Sequence, residues 1–149
     1  MNLRSASADE AEALAEIHAA AFETPWSGRD IAELMAGRGA FALAAETPER
    51  ALAAFILCQV IAGEAEVLTL AVRPSWRRKG LARALLEAAL GLAGETASAM
   101  FLEVAADNLG ALALYEAAGF APVGRRSGYY LGRAGPGADA VVMRRTLNS

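Results

Sequence analysis

Leu68-Thr69-Leu70-Ala71-Val72-Arg73-Pro74, followed after two residues by Arg77-Arg78-Lys79-Gly80-Leu81-Ala82, is the stretch on which the reading of this chain turns. The run from Glu66 to Val72 reads as a strand ended by Arg73-Pro74. From Gly80 to Leu92 the period changes: Leu81, Leu85, Ala89 and Leu92 line one face of a helix that Gly94 can close. Between the two elements Arg73, Arg77, Arg78, Lys79 and Arg83 crowd one short segment. Glycine lets a backbone approach a ligand closely, and a helix start presents unpaired N–H groups and the positive end of its dipole. With the basic side chains this makes a pyrophosphate site. The competing reading is an ordinary basic turn before a helix. The pattern is neither G-x-G-x-x-G nor a Walker A loop, which needs a second glycine and Lys-Ser/Thr at fixed offsets.

Upstream, Ser7-Ala8-Asp9-Glu10 has capping-box spacing and opens a helix running to about Phe22. Glu23 to Gly28 is a loop, and Ser27-Gly28-Arg29-Asp30 caps a short second helix carrying Ile31, Leu34 and Met35. Phe41 to Ala45 and Leu52 to Ile61 are strands joined through Thr47-Pro48-Glu49, and Gly63-Glu64 turns the chain into the decisive strand. These three runs predict an antiparallel meander. Downstream come a strand over Met100 to Ala105 and a helix over Leu109 to Ala118. Gly119 is placed for a left-handed cap, with Phe120 packing back. Two late strands follow, around Pro122 to Tyr130 and Asp139 to Arg145, with a mobile loop at Gly132 to Gly137. The order predicts an α/β layer with at least one crossover between parallel strands.

The bulk numbers agree. A length of 149 residues suits one domain over 1–149, and 55% hydrophobic with 21% charged residues supports a packed core. The single cysteine, Cys58, excludes a disulfide framework and a multi-cysteine zinc site, and it reads as a buried inert thiol. No metal is expected. No secretory segment or apolar stretch of spanning length is present, so a cytoplasmic protein without a membrane partner is expected. A net charge of −3 argues against direct nucleic-acid binding.

Two side chains stand out. Glu103 interrupts the apolar strand Met100-Phe101-Leu102-Glu103-Val104. A strand that follows a crossover helix is usually covered on both faces, where a carboxylate is costly and its pKa rises towards that of a general base. The alternative is a wet or ion-paired glutamate near the strand end. Tyr115 shares a helix with Leu112 and Ala113, so packing explains it as well as chemistry does. A phenol, with pKa about 10, can protonate a departing thiolate, with pKa about 8.5, only slightly uphill. Asn108 reads as a helix N-cap, and the single histidine, His18, as structural or solvated.

The decisive stretch resembles the Q/R-x-x-G-x-G/A acetyl-CoA-binding motif of the GNAT acetyltransferases. Pro25-Trp26-Ser27, Leu102-Glu103-Val104, Asn108, Ala113-Leu114-Tyr115, Gly119-Phe120, Tyr129-Tyr130 and Asp139-Ala140 with Met143 fall in that family's order, closest to its RimI-type, ribosomal-protein-alanine branch. The resemblance covers nearly the whole chain. It implies a single-domain GNAT fold, with a mixed, mostly antiparallel sheet of six to seven strands flanked by about four helices. It implies acetyl-CoA as cosubstrate, with Arg77, Arg78, Lys79, Gly80, Leu81, Ala82 and Arg83 at its pyrophosphate. The backbone of Leu70, Ala71 and Val72 would lie along the pantetheine arm, and Asn108 would contact the cosubstrate. It further implies Glu103 as base, Tyr115 as acid, and an acceptor cleft at Trp26, Tyr129, Tyr130 and Asp139, where packing at the sheet edge is the other reading.

The acceptor implied is the N-terminal peptide of a small-subunit ribosomal protein. Small amines remain an alternative acceptor, and a non-catalytic acetyl-CoA-binding module an alternative function. Ala105 stands where the branch has arginine, Ala138-Asp139-Ala140 where it has Glu-Asp-Ala, and Gly128 is an extra residue before the tyrosine pair. All three departures lie near the acceptor side.

Overall fold

The computed structural model describes residues 1–130 and 138–147, except the side chains of residues 127–130 and 138. Seven strands form one sheet: β1 (Asn2–Ser5), β2 (Ala40–Glu46), β3 (Leu52–Ile61), β4 (Glu64–Val72), β5 (Ala99–Ala105), β6 (Ala121–Tyr130) and β7 (Ala138–Thr146). Four helices pack on it: α1 (Ala11–Ala21), α2 (Gly28–Met35), α3 (Leu81–Ala93) and α4 (Leu109–Ala117). The spatial order is β1-β2-β3-β4-β5-β7-β6. The pairing of β4 with β5 is parallel and the other pairings are antiparallel. This is the expected meander and crossover. The first strand was not anticipated: four residues with three polar side chains carry almost no periodicity, and only pairing with β2 makes them a strand. The loop expected at Gly132 to Gly137 lies outside the described residues.

Local signals work where they were read. Ser27 Oγ accepts from the Asp30 N–H at 3.0 Å and starts α2. The Ser7 N–H donates to Glu10 at 3.1 Å, although the first turn there is a 3-10 turn and α1 begins only at Ala11. Gly94 follows α3 with a right-handed φ of −63°, so it closes that helix without the left-handed turn many glycine caps use.

Two cores hold the layers together. On one face α3 lays Leu85, Leu86 and Ala89 onto Ile56, Met100 and Met143. On the other, α1 and α2 lay Leu14, Ile17 and Ile31 onto Phe55 and Leu57. Leu85 is fully buried, and truncating such a residue to alanine typically costs about 2–5 kcal/mol. Cys58 lies in the α3-side core, where burial pushes its thiol up to about 12 and leaves it inert.

Two irregularities of β4 shape everything that follows. Leu57 pairs with Thr69 and Cys58 with Val67, which leaves Leu68 as an extra residue in a bulge. Ala65 and Val67 therefore pack in the α3-side core, while Ala71 packs on the α1 side. In addition, β4 pairs with β5 only from Glu64 to Glu66, opposite Ala99 to Phe101. Beyond that point the two strands part.

Candidate active site

The gap between β4 and β5 is a cleft of about 720 Å³. Val67 to Leu70 of β4 and Leu102 to Ala105 of β5 line it, together with His18, Phe22, Thr24, Trp26 and Leu34 from the α1–α2 side and Asn108, Ala111 and Tyr115 from the start and body of α4. Among the described residues, the β5-facing edge of β4 pairs with no strand from Val67 onward. Such an edge is a template for an extended, amide-bearing ligand.

At the end of β4 a 3-10 turn over Pro74 to Trp76 leads to the start of α3. Gly80 caps α3 in the left-handed region, φ +79°, with open space where a Cβ would sit. Arg78 also takes a positive φ, 63°. Arg77, Arg78, Lys79 and Gly80 are exposed, and these three cations form no ion pair among the described residues. Arg83 is bound to Glu87 at 2.8 Å, and the Leu81 side chain turns into the core. Arg73 departs from the expected anion cluster: its Nε donates to the Leu52 carbonyl at 3.0 Å and its guanidinium faces Glu16, so it ties β4 to its surroundings. Of the expected backbone contacts, Leu70 lines the cleft and Ala71 is buried beneath α1.

Glu103 sits in mid-strand. The expectation of a strand covered on both faces does not hold. Leu102 and Val104 point into the α3-side core, while Phe101 and Glu103 face the side where α1 and α2 overlie only β2 to β4. Glu103 Oε2 lies 3.1 Å from Arg126 Nε of β6, with its side chain 26% exposed. That oxygen is itself shielded from solvent, and the Arg126 approach is not aligned as a hydrogen bond. Glu66 stands on the same face and lines the same cleft. Its carboxyl is raised above the ordinary range, first by desolvation and then by the Glu103 charge, with Arg126 opposing.

Sequence reasoning missed both Glu66 and Arg126. A carboxylate just ahead of the apolar run Val67 to Val72 is the same kind of anomaly as Glu103 and was the available signal for Glu66. Nothing local marks Arg126, because only the register of β6 on β7 and of β7 on β5 brings it to Glu103.

Tyr115 is positioned by the end of its helix. The Phe120 N–H bonds the Tyr115 carbonyl at 3.0 Å and the Gly119 N–H bonds that of Glu116 at 3.0 Å, with Gly119 at φ +95°. This is a Schellman cap, and the Phe120 ring meets the Tyr115 ring edge-on at 5.9 Å. Asn108 caps the other end, its Oδ1 accepting from the Ala111 N–H at 3.1 Å, and it also lines the cleft.

Among the expected acceptor residues, Trp26 reaches the cleft. Asp139 pairs with Arg125 at 2.8 Å at the start of β7. The side chains of Tyr129 and Tyr130 lie outside the described residues. Between Arg126 and Tyr130 the β6–β7 register slips, and this irregularity takes up Gly128.

His18 is buried and structural. It stacks between Phe22, at 4.3 Å, and Trp26, at 4.8 Å, and burial lowers its pKa to about 4. Unfolded, it would titrate near 6.5, so the unfolded chain binds this proton first. The resulting stability is complete above about pH 6.5 and is lost as pH falls towards 4, on the order of 3 kcal/mol in all. Because the chain has one histidine, a single imidazole resonance followed by NMR should titrate near pH 4. A midpoint near 6.5 would show that the ring is not held as described.

Residues 11–120 match the pattern of the Acetyltransferase (GNAT) family. Over 93 residues the chain is 41% identical to the [ribosomal protein bS18]-alanine N-acetyltransferase of Escherichia coli strain K12, covering 62% of each protein. It is 35% identical to the protein of the same name from Haemophilus ducreyi over 132 residues, 87% of this chain and 89% of that one. The chain thus spans less than two thirds of the E. coli relative, and it spans 21% of a Mycobacterium leprae relative. The crystal structure of the ribosomal-protein-S18-alanine N-acetyltransferase from E. coli superposes with a TM-score of 0.91 at 31% identity, over 99% of this chain and 94% of that one. Among the described residues, no helix is long and apolar enough to cross a membrane.

Proposed function

The chain belongs to the GNAT acetyltransferase family, and on that premise we propose that it transfers the acetyl group of acetyl-CoA to a protein's N-terminal amine, a ribosomal protein's N-terminal alanine in the first instance. One observation carries the reading. The cleft where β4 and β5 part is lined by Glu103, Tyr115, Asn108 and the unpaired edge of β4, and β4 runs on into the glycine-capped start of α3.

Arg77, Arg78, Lys79 and the first amides of α3 fit a diphosphate, since the cations are exposed and Gly80 leaves room for close approach. The free edge of β4 at Leu70 to Val72 fits the amide-bearing pantetheine arm, and its N–H groups are the candidates to hold the acetyl oxygen. Glu103 takes the proton of the acceptor amine, directly or through a water. A terminal amine has a pKa near 8, so this asks little of the carboxylate. Tyr115 returns a proton to the departing thiolate. Trp26, Asp139, Tyr129 and Tyr130 are assigned to the acceptor side.

A thiol-release assay with acetyl-CoA and a panel of amines tests the reading. Turnover is expected on alanine-started peptides. Turnover confined to polyamines or aminoglycosides would replace the acceptor class, and CoA binding without turnover on any amine would replace the activity.

A further inference from the structure

We propose that Thr69 reads the first carbonyl group of the acceptor, and that His18 sets the Thr69 hydroxyl for this task. The inference rests on the proposed acetylation of a peptide N-terminus and names how the same cleft would tell that acceptor from a simple amine.

The argument begins with a tautomer. The backbone N–H of Trp26 points at His18 Nδ1 at 3.0 Å. A backbone amide can only donate, so Nδ1 is the acceptor and the ring proton sits on Nε2. Nε2 is 3.2 Å from Thr69 Oγ1, and the hydroxyl oxygen therefore accepts from the ring. With one lone pair engaged by an N–H, the hydroxyl hydrogen must find its acceptor elsewhere. Among the described residues no carbonyl, carboxylate or hydroxyl takes it. Thr69 is only 7% exposed, so bulk water does not surround it. It is the residue immediately after the Leu68 bulge, and it lines the cleft that also holds Glu103 and Tyr115.

A buried donor left unspent is costly, and here the space beside it is the cleft that would receive a ligand. What that donor requires is an oxygen acceptor. An amine nucleophile by itself supplies N–H groups, which Glu103 already serves. A peptide N-terminus supplies in addition a carbonyl oxygen three bonds from the reacting nitrogen. The hydroxyl of Thr69 is suited to that oxygen. His18 is the positioning residue: it fixes the hydroxyl rotor, and through Trp26 it ties the loop before α2 to the same point. A site built to hydrogen-bond one oxygen discriminates against the analogue that lacks it.

The test uses an alanine-started peptide that the enzyme acetylates and the same peptide with its first carbonyl reduced to a methylene. The reduced peptide is assayed as a competitive inhibitor of the parent, in the wild type and in Thr69→Val and Thr69→Ser. In the wild type the parent should bind about tenfold more tightly than the reduced peptide. In Thr69→Val the two should bind alike, and Thr69→Ser should restore the difference. Equal binding of the two peptides by the wild type overturns the proposal without recourse to any variant. So does a Thr69→Val enzyme that keeps the wild-type preference, or one weakened equally towards both peptides, which would direct the hydroxyl at the acetyl group instead. Failure of the wild type to acetylate the parent peptide would remove the proposed function itself, a different result from any of these.

Discussion

Glu103→Gln should lower turnover roughly 10²- to 10⁴-fold, the range general-base catalysis supplies, with acetyl-CoA affinity held within about twofold. The substitution keeps size and shape in mid-β5 and removes only the charge that faces Arg126. The donor loop at Arg77 to Gly80 lies at the far end of β4 and should not sense it. The deficit should also depend on pH. A terminal amine loses its own proton near pH 8, so a base matters most below that value. Initial rates at saturating acetyl-CoA should therefore show a larger loss at pH 6.5 than at 9.5. An equal loss at both would make Glu103 a binding residue, and an unchanged rate would remove it from the chemistry. Glu66 is the internal control, a second carboxylate on the same face and in the same cleft.

The second large effect is expected at Tyr115→Phe, a loss of about 10²-fold in turnover with the fold intact. Phenylalanine keeps the buried ring and its edge contact with Phe120, so the Schellman cap that positions the side chain survives. Only the hydroxyl is lost, and with it the proton for a leaving thiolate whose pKa is about 1.5 below that of a phenol. Thermal unfolding separates the two readings of this residue. If the variant melts with the wild type and turns over slowly, the hydroxyl acts in catalysis. If activity is unchanged, Tyr115 is a packing residue that happens to face the cleft.

Placement of the helices was legible because their signals are local. Ser27 with Asp30, Asn108 with Ala111 and the Gly119-Phe120 cap on Tyr115 and Glu116 each act across five residues or fewer. The left-handed backbone at Gly80 follows from the missing Cβ, and its place before an apolar helical face was visible in the chain itself. Glu103 could be singled out because a charge in an apolar run is anomalous wherever the run ends up. Its surroundings were misjudged, since the sequence does not say which sheet face the helices leave bare. Arg73 was misjudged for the same reason: it counts as one more cation in a basic segment until its partners Leu52 and Glu16 are seen.

What the sequence determined by itself is therefore the kind and order of the elements, the glycine-capped helix after the decisive strand, and the residue types able to move protons. Tertiary structure alone decided that β4 and β5 part after Glu66, that the Leu68 bulge turns Thr69 towards His18, and that Arg126 stands at Glu103. The reason is one of range. Caps and periodicities are settled within a helical turn or a few strand residues, whereas a bond such as His18 to Thr69 joins positions 51 residues apart and exists only once strand register has been chosen.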